Sequence, residues 1–201
     1  MITSPLTEAD LEYVEANFCT VGALCAGREE TTAEVEALIE QGRLPRPAYV
    51  LPEGTGMFPA DYFALIDDAG GVEALERHFA DRHRRASVEG QASSLEEDWQ
   101  GYLDGTYGVC LRSATPEAIV RKSTLVSSLC VLLVLARPAA PDWQQALREQ
   151  VEELDALERE FAPDYDRGGR FGRLPTRDLL VEGARQRFPE VFVPAGRSSG
   201  R

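Results

Sequence analysis

Two stretches of the chain hold residue types that can do chemistry. The first, DYDRGGRFGRLPTRD at 164–178, gathers three glycines and four arginines (Arg167, Arg170, Arg173 and Arg177) around the start of a helix that Thr176 reads as capping. Glycine lets a backbone approach a ligand closely. Arginine forks grip phosphate, sulfate or carboxylate in bidentate fashion. A helix opening after Thr176 would add free N–H groups and positive potential. One reading is an anion site built from Gly169, Arg170, Arg173, Thr176 and Arg177. The other is a loop whose arginines pair with the acidic body, for example with Glu152 to Glu160 of the preceding helix. The stretch has no GKS or GKT, so it is not a phosphate-loop signature.

The second stretch, WQGYLDGTYGVCLRSATPEAIVRKST at 99–124, holds Tyr102, Tyr107, Cys110 and Lys122, the one lysine of the protein. A lysine entering an apolar helix is either buried, with a lowered pKa that suits a general base, or snorkels from the helix edge. Tyr102 and Tyr107 complete the acid/base candidates; the plainer reading makes them core aromatics with satisfied hydroxyls. Cys110 has no well-placed histidine to activate it as a nucleophile. His78 and His83 are five residues apart, whereas a metal pair on one helix face needs three or four. With Arg77, Arg82, Arg84 and Arg85 around them, they read as a solvated basic face. No metal site and no cofactor motif is expected.

Helices must position these groups. Thr7 with Asp10 marks the start of a helix to about Phe18, and Thr20 caps a short second one. Thr31 or Thr32 opens a third, with Val35, Leu38 and Ile39 at helical spacing. Gly42 ends it, and RLPRPAYVLPEGTGMFP predicts a hairpin of Ala48–Leu51 and Met57–Phe58. Further helices are predicted from 61 to Gly70-Gly71, over 72–86, and from Ser94 with Glu97 as capping box. Thr115-Pro116 starts another, to about Ala136. Asp142 caps a long helix with the stripe Trp143, Leu147, Val151, Leu154, Leu157 and Phe161, and Thr176 caps the last. SVEGQASS at 87–94 is the best candidate for an exposed loop. The fold class is all-α with one small β-hairpin wing: a winged helix-turn-helix-like unit at 1–69, then a helical domain at 70–201 with a basic C-terminal segment.

The net charge of −13 argues against non-specific binding to nucleic acid or anionic membrane. Residues 1–65 hold 11 acids and 3 arginines, whereas 167–201 hold 8 arginines and 3 acids. The apolar run LCVLLVLA is too short to span a membrane, which takes about 20 residues. No signal peptide is expected at the N-terminus, and four cysteines without a CxxC pair read as reduced thiols of a cytoplasmic protein.

Residues 7–60 resemble the DNA-binding domain of MerR-type regulators and excisionases, specifically at LIEQGRLPRP, 38–47, where those domains pass from recognition helix to wing. Glu34, Glu36 and Glu40 on the reading helix argue against phosphate contacts, and only Arg43 and Arg46 have the right sign. A protein-docking role suits the unit better than DNA. Over nearly the whole chain, YVEANFCTVGALCAG, LPRPAYVLPEGTGMFPADYFALIDDAGG, ELDALEREFAPDYDRGGRFGR and ARQRFPEVF resemble an uncharacterised actinobacterial family labelled as natural-product biosynthesis proteins. That resemblance implies a setting in specialised metabolism and supplies no catalytic residues. The functional expectation is an accessory protein or small enzyme that binds an anionic group of a biosynthetic intermediate. The alternatives are a MerR-like regulator and a structural subunit that docks a protein partner. The expected partner is a small anionic metabolite or a protein, in no membrane and on no DNA.

Overall fold

The computed structural model describes residues 5–87, 94–170 and 174–193. Helix α1 (Glu8–Asn17) opens with a capping box. The Thr7 hydroxyl accepts from the Asp10 amide, while Asp10 accepts from the Thr7 backbone. After α1 comes β1 (Phe18–Thr20), a strand not anticipated from the sequence because its three residues fall between two helix signals. Thr20 then caps α2 (Val21–Cys25), and a Thr31/Glu34 capping box opens α3 (Thr32–Glu40). The hairpin is β2 (Tyr49–Val50) and β3 (Gly56–Pro59). The three strands form an antiparallel sheet in the order β1-β3-β2, with Cys19 opposite Phe58 and Tyr49 opposite Met57. The fold is mainly α with this small β wing.

Helices α4 (Ala64–Ala69) and α5 (Val72–Ala86) meet at Gly70-Gly71, where Gly70 takes φ +80° and closes α4. The predicted loop after α5 lies, at 88–93, outside the described residues. A Ser94/Glu97 box opens α6 (Leu95–Leu103), and the short α7 (Thr106–Cys110) follows. Thr115 caps α8 (Pro116–Val134), with proline in its first turn. α9 (Pro141–Leu157) is capped at Ala140 and not at Asp142. Pro141 takes the first helical position, so Asp142 falls within the turn, where it meets Arg137 at 3.3 Å. Two π-helical segments, Asp166–Arg170 and Arg177–Glu182, precede α10 (Gly183–Arg187) and α11 (Pro189–Phe192).

The buried apolar residues form two clusters. One runs without a break from Val14 and Phe18 through the sheet to Leu75, Phe79, Tyr102, Leu111 and Ile119. The other joins Leu125 and Leu129 to Trp143, Leu147, Val151, Leu154, Val181 and Phe188. α8 belongs to both, its first half in one core and its second half in the other. No described helix is long and apolar enough to cross a membrane.

Candidate functional site

The turn after α7 fixes one side of the site. Leu111 and Glu158 form an antiparallel bridge, with Arg159 N–H donating to Cys110 O at 3.0 Å and Arg112 N–H to Leu157 O at 2.9 Å. The bridge sets the Glu158 carboxylate beside Cys110. α8 brings Lys122 to the same place, its Nζ 2.7 Å from Glu158 Oε1, with side-chain exposures of 13% and 0%. The Thr176 hydroxyl donates to the same oxygen, and the Cys110 sulfur lies near enough to the ammonium to help hold its charge. Glu158 Oε2 is buried with no hydrogen-bond partner among the described residues.

This arrangement corrects the expectation for Lys122. Burial by itself would lower its pKa, but the Cys110 sulfur and the Glu158 carboxylate outweigh burial and hold the ammonium above its ordinary range. Of the two readings, burial holds and snorkelling does not, yet Lys122 is protonated at neutral pH: a charged donor and not a base.

A second buried network stands across from it. Asp98, 2% exposed, accepts from His83 Nε2–H at 2.8 Å and from the Tyr107 hydroxyl at 2.5 Å. His83 is 3% exposed and stacks on Phe79, with Ser87 Oγ 3.2 Å from its Nδ1. The solvated basic face expected for both histidines thus holds only for its rim. His78 meets Asp68 near the surface, whereas His83 lies on the same stripe of α5 as Leu75 and Phe79. Burial, then the bond to Asp98, raises the Tyr107 pKa, so this phenol also acts as a donor. Gly101 makes room for it: a Cβ there would come within 2.8 Å of the Tyr107 ring.

Between the two networks lies a cleft of about 420 Å³. Its polar wall is Asp98, Tyr107, Cys110, Lys122, Ser123 and Thr176, and its apolar wall includes Ile119, Val126, Phe161 and Leu174. Size and lining, mostly apolar with a few convergent polar groups, are those of a small-molecule site. Tyr102 is not part of it. That ring packs against Phe79 and Trp99 and borders a separate cavity of about 40 Å³ with Pro45 and Tyr62, and burial raises its pKa. Of the three acid/base candidates, the structure brings Lys122 and Tyr107 to one cleft and leaves Tyr102 in the core.

The Gly/Arg stretch is arranged differently from a free anion loop. Arg170 donates to Ala48 O at 2.5 Å, pairs with Asp166 at 3.3 Å and lies over the rings of Tyr49 and Tyr165. Asp166, fully buried, accepts from Tyr49 and from Ala162 N–H, so this turn, which includes Gly169, fastens the C-terminal region to the sheet. Arg177 pairs with Asp155 and Glu182, and Arg167 with Asp178. Arg173 lies outside the described residues. Thr176 does not cap: its backbone is already helical, and its hydroxyl goes to Glu158 because the helix begins there as a π turn. The described arginines thus meet carboxylates: Asp178 and Glu182 within their own segment, Asp166 in the turn, and Asp155 in the 152–160 run.

Sequence reasoning missed His83, Asp98 and Glu158. Each continues a buried helical stripe by four residues: His83 after Phe79, Asp98 before Tyr102, Glu158 after Leu154. Asp10, four before Val14, obeys the same rule. No group of three or more metal-ligating side chains among the described residues is placed to hold an ion.

The chain belongs to a family of unknown function, DUF6058, whose profile matches residues 70–189. The match takes in every residue of the cleft. No curated protein and no solved structure matches the chain.

Proposed function

We propose that this protein binds a small organic molecule in the cleft between Lys122 and Tyr107, as an accessory protein or small enzyme of natural-product biosynthesis in an actinobacterium. The observation that carries the reading is a protonated lysine on the wall of a half-apolar cleft. Its ammonium has three N–H donors. Among the described residues Glu158 is its ion-pair partner, which leaves a donor for a ligand in the cleft that Ser123 also lines. The anionic group expected from sequence is thereby assigned to Lys122, since the described arginines of the Gly/Arg stretch already face carboxylates.

Charge narrows the ligand. Asp98 and Glu158 flank the cleft, so a dianionic phosphate would meet repulsion from two buried carboxylates. A carboxylate or a polarised carbonyl suits a single shared ammonium better, with an apolar body against Ile119, Val126 and Leu174. The four free thiols fit a reducing, cytoplasmic setting.

Thermal unfolding against a panel of carboxylic acids, carbonyl compounds and phosphate esters tests this. A ligand at a hundred times its Kd adds about 2.7 kcal/mol. The reading expects carboxylates or carbonyls to stabilise wild type and to lose that effect in Ser123→Trp, which fills the cleft. Stabilisation that survives Ser123→Trp, or arises only with phosphate esters, overturns it.

A second reading rests on a separate observation. Glu34, Glu36 and Glu40 are exposed along α3, and the wing's Arg43 and Arg46 face Glu73 and Asp104. This acidic face suits a basic protein partner, as in a structural subunit or a partner-dependent regulator of the MerR kind, and opposes DNA. Retention on DNA that falls steeply with salt would refute that.

A further inference from the structure

The cleft holds a nucleophile that the binding reading does not use. Cys110 ends α7 on the wall of the cleft that Lys122 also lines, near enough to the ammonium to help hold its charge, and its carbonyl accepts from the Arg159 N–H at 3.0 Å. Cys110 is 6% exposed and lines the cleft, so reagents reach it through the cleft and not from open solvent. Cys130, by contrast, is exposed on the surface. Histidine is not needed beside such a thiol when a cation stands over the reacting carbonyl, because the charge that develops in acyl transfer falls on the carbonyl oxygen. Lys122 is that cation, fixed by Glu158, whose carboxylate Thr176 holds in turn.

We propose that Cys110 is an acyl-accepting residue that takes a carboxylic acyl group from a small thioester bound in the cleft. This rests on the reading of the cleft as a ligand site. Cys110 Sγ forms a bond to the carbonyl carbon, and the carbonyl electron pair moves to the oxygen, where the free N–H of Lys122 meets it. The pair returns as the carbon–sulfur bond of the donor breaks. The departing thiolate leaves with that bond's electrons and takes up the proton lost from Cys110. One thioester is exchanged for another, with no oxidant, reductant or metal in the balance. The exchange suits a thioester donor because the leaving sulfur and the attacking sulfur are of similar basicity. The apolar wall of Ile119, Val126, Phe161 and Leu174 accommodates the acyl chain.

The test is intact-mass and peptide-mapping analysis of the full-length protein incubated with the N-acetylcysteamine thioester of hexanoic acid. One acyl adduct on Cys110 is expected, with a rate that saturates in thioester and is lost in Cys110→Ser. Ser123→Trp blocks it without touching the thiol. Lys122→Met slows it by about a hundredfold, the usual loss of one oxyanion donor, while Lys122→Arg retains part of it. Should Lys122→Met fail to fold, the Ser123→Trp and Lys122→Arg results still decide. Acylation confined to Cys130, or unsaturable at Cys110, overturns the proposal. So does binding of hexanoic acid or the thioester in the cleft, seen by thermal shift, without an adduct. That last outcome leaves the binding reading standing, whereas no binding of either compound removes both.

Discussion

Replacing Lys122 by methionine isolates the energetics of the site. The substitution keeps most of the apolar stem and removes the ammonium, leaving Glu158 at 0% exposure with only the Thr176 hydroxyl on its carboxylate among the described residues. Taking one partner from a buried pair costs about 3–5 kcal/mol, because the surviving charge stays out of water uncompensated. The 13% exposure of Lys122 admits some solvent, which points to the lower end, about 3 kcal/mol. Glu158→Leu strands Lys122 in the same way. Lys122→Met/Glu158→Leu removes both charges and replaces them with apolar volume, which in other proteins is neutral or stabilising by about 1–4 kcal/mol. Thr176 loses an acceptor in that variant, so near-neutrality is the expected result. Urea denaturation of the four proteins at pH 7 gives the cycle. The single variants should lose stability and the double should recover most of it, a strongly non-additive result. Additive losses, or a Lys122→Met cost below about 1 kcal/mol, the range of exposed pairs, would refute a dry Lys122–Glu158 pair.

Four further outcomes follow from other parts of the structure and from the site's titration. Asp10→Ala strips an acceptor from the backbone N–H groups of Asp164 and Tyr165 and from Thr7. A loss of about 3 kcal/mol is expected by chemical denaturation, from two or more bonds to a charged acceptor. Burial opposes the charge on Asp10, but these hydrogen bonds outweigh it and hold its pKa below the usual carboxylate value. Its contribution is therefore present above the unfolded value of about 3.9 and disappears as pH falls through the lower folded one, which an acid-unfolding profile of wild type against Asp10→Asn should show. On the alkaline side, the raised pKa values of Lys122 and Tyr107 give stability that is fully present below their unfolded values, about 10.4 and 10, and is lost as pH rises toward the folded ones. Lys122→Met/Tyr107→Phe should lose less stability than wild type between pH 9.5 and 11 in melting experiments, in a window of about one and a half units set by those values. Gly105→Ala would force a left-handed residue and drive a Cβ within 2.5 Å of the Arg46 carbonyl, so a loss of about 3 kcal/mol in urea is expected; a loss under about 1 would mean the wing does not pack on the α6–α7 turn.

Helix starts were the most legible part of this chain, because a capping threonine or serine and an acid three residues on are local signals. Thr7/Asp10, Ser94/Glu97 and Thr115-Pro116 all act as the spacing suggests, and of Thr31 and Thr32 it is Thr31 that caps. Strand β1 was not legible: Phe18–Thr20 gains its conformation from pairing with Met57–Pro59, a partner some forty residues away. The site was half legible. Lys122 stands out as the sole lysine beside an apolar helix, a pattern that fits burial and snorkelling alike; the structure buries it. The direction of its pKa does not, because Glu158 reaches it through a bridge between turns that no periodicity encodes. Its chemical partners were hidden for a different reason. His83, Asp98 and Glu158 are polar, and a reading that tracks only apolar residues ends each stripe one turn early.

Saturable binding of a fluorescent carboxylic acid with a long apolar chain, measured by emission change in wild type, Ser123→Trp and Arg170→Gln, tests the central claim most directly. The account predicts one site per chain in wild type and in Arg170→Gln, and none when Ser123→Trp fills the cleft. Binding that ignores Ser123→Trp and vanishes with Arg170→Gln would contradict it, and would place the ligand at the Gly/Arg turn instead.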